Sequence, residues 1–169
     1  MNIVVVLAMP GVLPKDFPPH ERHVLYRLRA RMKYISVNKH PEDEDRLNEL
    51  LRKARCWPRT AQNDPLHFSA QELASELSQV TGYRVILGFN QYDTPTLEEA
   101  LVQAFAREAE KIVLINPLAA NGVSLAKSES FISNQRIQNR CLEIQVDFSY
   151  SFSADKMVEL LEEQLGKNQ

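Results

Sequence analysis

The stretch from Tyr83 to Pro117 limits the possible folds of this chain more than any other. Two short apolar runs, Tyr83-Arg-Val-Ile-Leu-Gly-Phe89 and Lys111-Ile-Val-Leu-Ile-Asn-Pro117, flank a segment that places Leu97, Ala100, Leu101, Ala104 and Phe105 on one helical face. Val/Ile-rich runs of this length, separated by a helix, suit parallel strands buried on both faces. Thr96 and Glu99 have the spacing of a capping box, and Pro95 just ahead fits a helix start. The pattern is one βαβ unit, whose crossover is predicted to be right-handed. Ligands of such sheets bind outside the carboxyl ends of the strands, so function is sought in the loops after Phe89 and Ile115.

The remaining elements extend that unit into an α/β domain. Asn2 to Met9 is predicted to be a central strand, and it runs into a Pro/Gly-rich loop from Pro10 to Pro19 that forbids helix. A basic helix follows from His20 to about Val37, with Val24, Leu25, Leu28 and Met32 as its apolar stripe. Its cations, Arg22, Arg27, Arg29, Arg31 and Lys33, either form a solvated face or pair an anionic ligand. Pro41 to Cys56 reads as a second helix, acidic at its start and basic at its end, which the helix dipole alone explains. Ser69 and Glu72 suggest a third helix start, with Phe68 stapled on Leu73 and Gly82 as the C-terminal cap. Beyond a weak helix to about Asn139, Leu142 to Tyr150 alternates apolar and polar residues as a strand near the sheet edge. A closing helix begins at Ser153.

At 169 residues the chain suits a single domain, 1–169, with a four-stranded parallel sheet, flanking helices and a helical insertion at about 20–65. A formal net charge of -2 argues against wholesale nucleic-acid binding. The apolar run Ile3 to Met9 is too short to span a bilayer, so a cytoplasmic protein without a membrane partner is expected. Cys56 and Cys141 are too few and too isolated for a disulfide framework or a thiolate metal site. His20 and His23 sit three apart, while His40 and His67 lie in polar connections. All four read as surface residues, because a metal site needs convergent donors and supporting partners. No phosphate-binding glycine loop or nucleophile elbow is present in the sequence.

Three stretches together resemble the CbiX/SirB-type sirohydrochlorin chelatases, in the branch with an insertion after the first strand. They are Ala8-Met-Pro-Gly-Val-Leu-Pro-Lys-Asp-Phe-Pro18, Trp57-Pro-Arg-Thr-Ala-Gln-Asn-Asp-Pro65, and Gly88-Phe-Asn-Gln-Tyr-Asp-Thr-Pro-Thr-Leu-Glu-Glu-Ala100 with the next strand and Asn121-Gly122. The resemblance implies a chelatase-like three-layer domain, a tetrapyrrole cleft at the carboxyl ends of the strands, and a homodimer. It further implies an anionic tetrapyrrole as ligand and a divalent cobalt, nickel or iron ion as substrate rather than as resident cofactor.

The sequence departs from the family at both metal-binding histidines. Pro10 stands where one precedes Gly11, and Ser124 where the other follows the third strand, with Glu129 the nearest acidic residue. Proline has no side-chain donor and a serine hydroxyl is a poor ligand for these metals, which argues against metal insertion by the family's usual route. Gly11, Asp16, Arg59, Asn90, Asp93, Asn121 and Gly122 are expected to contact the macrocycle, and no metal ligand is assigned. Asp16, Asn90 and Asp93 are equally readable as turn residues bonding their own backbone. The alternatives are an active chelatase with substitute ligands, from Glu129, the insertion or a dimer partner, and a non-catalytic protein-interaction subunit.

Overall fold

The computed structural model describes residues 2–34, 41–107, 109–117, 132–134 and 145–149. Four strands, β1 (Ile3–Met9), β2 (Arg84–Phe89), β3 (Lys111–Ile115) and β4 (Gln145–Ser149), form a parallel sheet in the order β2-β1-β3-β4. Val5 pairs with Val85 on one side and Val113 on the other, so the first strand lies inside the sheet. Its burial is continuous from Val4 to Met9, the signature of a strand covered on both faces.

The helices are α1 (Pro19–Tyr34), α2 (Pro41–Arg55), α3 (Pro65–Thr81) and α4 (Leu97–Phe105). Val4, Val6 and Ala8 share a cluster with Leu97, Ala100, Leu101 and Ala104, so α4 covers one face of the sheet. Leu7 and Met9, on the opposite face by strand alternation, pack with Phe89 and Ala70 of α3. Gly88 permits the close approach of α4, since a Cβ there would lie 2.7 Å from the Ala100 Cβ and 3.0 Å from the Leu97 Cα. The predicted capping box is formed: the Thr96 hydroxyl accepts from the Glu99 amide and the Glu99 carboxylate from the Thr96 amide.

The α1–α2 hairpin, inserted after β1, has its own cluster of Phe17, Leu25, Leu28, Leu50, Ala54 and Tyr92. That cluster ties the insertion to the β2–α4 loop through Tyr92 and to the β1–α1 loop through Phe17. Gly82 caps α3 in the left-handed region at φ 69°. The start of α3 differs from the sequence expectation. Asp64 is its N-cap, accepting from the His67 amide, and Pro65 opens the first turn, whereas Ser69 and Glu72 lie within the helix. An aspartate cap followed by proline at the first helical position outcompetes the later pair because both devices act together. The closing helix from Ser153 and Cys141 lie outside the described residues, while Cys56 is a free, exposed thiol. No helix among the described residues is long and apolar enough to cross a membrane.

Candidate functional site

Three loops meet at the carboxyl ends of β1 and β2. The first, residues 10–18, is anchored by Phe17, which is fully buried and meets Trp57 edge-on at 5.1 Å. Arg22 holds the same loop by donating to the carbonyls of Pro14 and Lys15 at 2.8 and 2.9 Å. The second, residues 56–64, is stitched to the first: the Lys15 amide donates to the Asn63 carbonyl at 2.8 Å. The Asp16 carboxylate accepts from Trp57 Nε1 at 3.0 Å and from Asn63 Nδ2 at 3.1 Å. The third, residues 90–96, continues β2; the Asn90 amide donates to the Met9 carbonyl at 2.9 Å, while the Phe89 amide donates to Pro95 at 2.8 Å. Gly11 backs directly onto this loop, for a Cβ there would be 3.1 Å from the Asp93 Cβ, the Asp93 amide nitrogen and the Gln91 carbonyl carbon.

Arg59 joins the three loops at their centre. Its guanidinium donates to the Val12 carbonyl at 2.9 Å, the Ala54 carbonyl at 3.0 Å and the Tyr92 carbonyl, and it pairs with the carboxylate of Asp64. Asp93 Oδ1 lies 3.7 Å from the same guanidinium. The side chains are 7% exposed for Arg59, 0% for Asp64 and 2% for Asp93, so each charge is out of bulk water and depends on the others. Arg59 Nε is buried with no partner.

His67, in the first turn of α3, completes the cluster. Its ring stacks on Phe89 with centroids 5.4 Å apart, and Nδ1 lies 2.8 Å from Asp93 Oδ2. With Nδ1–H donating to the carboxylate, Nε2 is the acceptor and takes the Gln71 amide at 2.9 Å. Asp64, His67 and Asp93 offer potential metal-ligand atoms within 4.8 Å of one another. Every carboxylate oxygen there already has a donor. Asp64 Oδ1 accepts from the His67 amide, Asp64 Oδ2 from Arg59, Asp93 Oδ1 from the Thr94 amide and Asp93 Oδ2 from His67. A cation at this point would have to break the His67–Asp93 bond beside an arginine that partly neutralises both carboxylates. The group is therefore an internally satisfied polar keystone, in which His67 Nε2 is also taken by the Gln71 amide.

The residues singled out in the sequence divide accordingly. Gly11, Arg59 and Asp93 are buried in or against the keystone, Pro10 is half-buried at the end of β1, and Asp16 and Asn90 are exposed on the rim. Arg59 spends its guanidinium on the protein's own carbonyls and carboxylates, so it positions the loops. Asn121, Gly122, Ser124 and Glu129 lie outside the described residues.

The basic helix is less free than its sequence suggests: Arg22 binds loop carbonyls, Arg31 pairs with Asp43 at 2.8 Å, and Arg29 donates to the Tyr92 hydroxyl and to Gln91 at 3.0 Å. Arg27 and Lys15 remain exposed. The reading of His67 as a surface residue is corrected, since it is held between Phe89, Asp93 and Gln71. Asp64, which caps its helix and pairs with Arg59, was also missed. The Asp64-Pro65 step was the available signal for both, because it starts a helix whose first turn contains His67. No protein-family model matches the sequence, and no curated protein matches it significantly.

Proposed function

We propose that this chain is a chelatase-like domain of the sirohydrochlorin type that binds an anionic tetrapyrrole against the carboxyl ends of its strands, without inserting metal by the family's usual route. One observation carries the reading. The three sequence stretches that resemble the chelatases, 8–18, 57–65 and 88–100, converge on one edge of the sheet and are locked together by Arg59, Asp64 and Asp93. Loops at that edge are where open α/β sheets bind their ligands.

In this reading Pro10 and Asn90 form the lip of the cleft, and Lys15 and Arg27 supply cations for the macrocycle carboxylates. Arg59 and Asp93 set the floor and touch no substrate. Pro10 and Ser124 occupy the family's histidine positions without a nitrogen donor. A cytoplasmic homodimer belongs to the same proposal.

A second reading, an active chelatase with substitute ligands, is favoured by His67. Asp93 holds its tautomer so that Nε2 is the basic atom, the form in which an imidazole accepts a proton or ligates a metal. Cobaltous, nickel or ferrous ion would be substrate, and His67, just beyond the insertion in the first turn of α3, would be the substitute ligand.

Titration with sirohydrochlorin, followed by quenching of the single tryptophan, Trp57, and by the macrocycle's absorbance, tests both readings. Saturable quenching with a cobalt-dependent spectral change no faster than the protein-free control supports the first. A cobalt-dependent spectral change faster than the protein-free control, and lost in His67→Ala, supports the second. Absence of saturable binding would refute both and direct attention to a protein partner.

A further inference from the structure

We propose that the free edge of β2 accepts an extended, acidic peptide segment as an added strand. Among the described residues β2 is the outermost strand on its side of the sheet. The Asn90 amide turns inward to Met9, whereas the Phe89 amide turns outward to the Pro95 carbonyl. Backbone groups alternate sides along a strand, so Val85 and Leu87 present their amides and carbonyls to the same outward side as Phe89. Pro95 occupies the Phe89 position, and the outward groups of Val85 and Leu87 have no hydrogen-bond partner among the described residues. The unpaired edge is thus two outward-facing residues long, with a defined end at Pro95.

This edge forms the floor of a groove of about 390 Å³ between two helices, with Gln71 of α3 on one wall and Gln103 of α4, with Arg107 just beyond that helix, on the other. Among the described residues Arg84 and Arg107 are its only charged lining residues, and neither side chain has a partner there. That charge pattern selects the occupant. Pairing with a second copy through this edge would offer the arginines no counter-charge, since the lining contributed by the described residues carries no acidic side chain. A strand carrying glutamate or aspartate meets the arginines instead. Its main chain bonds to Val85 and Leu87, the mode by which exposed sheet edges capture peptides. The wall residue Gln71 also bonds His67 Nε2, so the groove borders the polar keystone. The inference does not depend on what the keystone binds.

The test uses the full-length protein and a fluorescein-labelled synthetic peptide of alternating valine and threonine with a glutamate at each end, read by fluorescence anisotropy. Saturable binding is expected. It should weaken about tenfold or more when the glutamates are replaced by lysines, or in the protein variant Arg84→Glu with Arg107→Glu, because two favourable charge pairs become repulsive. The lysine peptide should bind the reversed variant better than the wild type. An N-methylated peptide with unchanged side chains should lose binding, which separates strand addition from charge attraction. The proposal is overturned if the acidic peptide does not bind, if the lysine or N-methylated peptide binds wild type equally well, or if sedimentation shows a dimer abolished by the Arg84→Glu, Arg107→Glu variant.

Discussion

Replacing Arg59 by methionine is expected to destabilise the protein far more than any exposed arginine. The substitution keeps most of the apolar stem and removes a guanidinium whose side chain is 7% exposed, leaving the carboxylates of Asp64 and Asp93, at 0% and 2% exposure, without their cation. Removing one partner of a buried ion pair costs about 3–5 kcal/mol, because the remaining charge stays desolvated. The carbonyls of Val12, Ala54 and Tyr92 lose their donor in the same step. Against a net stability of about 5–15 kcal/mol this is a large fraction of the total. For a chain of this size it corresponds to a melting temperature lower by about 10 °C.

Urea unfolding followed by Trp57 fluorescence measures the change, with an unchanged slope showing that the folded state is retained. The combination Arg59→Met, Asp64→Asn and Asp93→Asn should recover part of the loss, since the unpaired charges are removed together. Arg27→Met, at an exposed position, should stay within about 0.5 kcal/mol of wild type. The keystone account fails if Arg59→Met costs no more than Arg27→Met, or if the triple variant is less stable than the single one.

Other expectations follow from the same contacts. Gly88→Ala should cost about 1–3 kcal/mol in urea unfolding, because its Cβ would lie 2.7 Å from the Ala100 Cβ and α4 must shift. His67→Ala, which leaves the buried Asp93 Oδ2 without its donor, should destabilise by about 1–3 kcal/mol as well as altering any cobalt-dependent spectrum. Pro10→His together with Ser124→His should restore some cobaltous ion insertion into sirohydrochlorin. Complete silence, with fold and tetrapyrrole binding intact, would contradict the assignment of those two positions.

The sheet and α4 were legible because each rests on local, redundant signals. The apolar runs of β2 and β3 lack alternation, α4 has a continuous apolar face plus a capping box, and Gly82 can adopt a positive φ at little cost. The start of α3 was misread because Ser69 and Glu72 imitate a cap. The true cap, Asp64, also bonds Arg59, a tertiary contact absent from any local window.

The same limit hid the candidate site. Arg59, Asp64, His67 and Asp93 are separated by up to 34 positions in the chain, as the numbering shows, and only the packing of α3 against β2 brings His67 to Asp93. The basic character of α1 was plain in the sequence. That Arg22, Arg29 and Arg31 are engaged with the protein itself was not, since their partners lie in the β1–α1 loop, the β2–α4 loop and α2.

The most direct test of the central claim is an amide chemical-shift map of the labelled protein during addition of sirohydrochlorin. The account predicts saturable shifts concentrated at Gly11, Asn90, Gln91 and Asp93, where the loops after β1 and β2 meet, with the exposed face of α2 unmoved. Shifts confined to α2 or to the β2 edge groove, or none at saturating ligand, would contradict it.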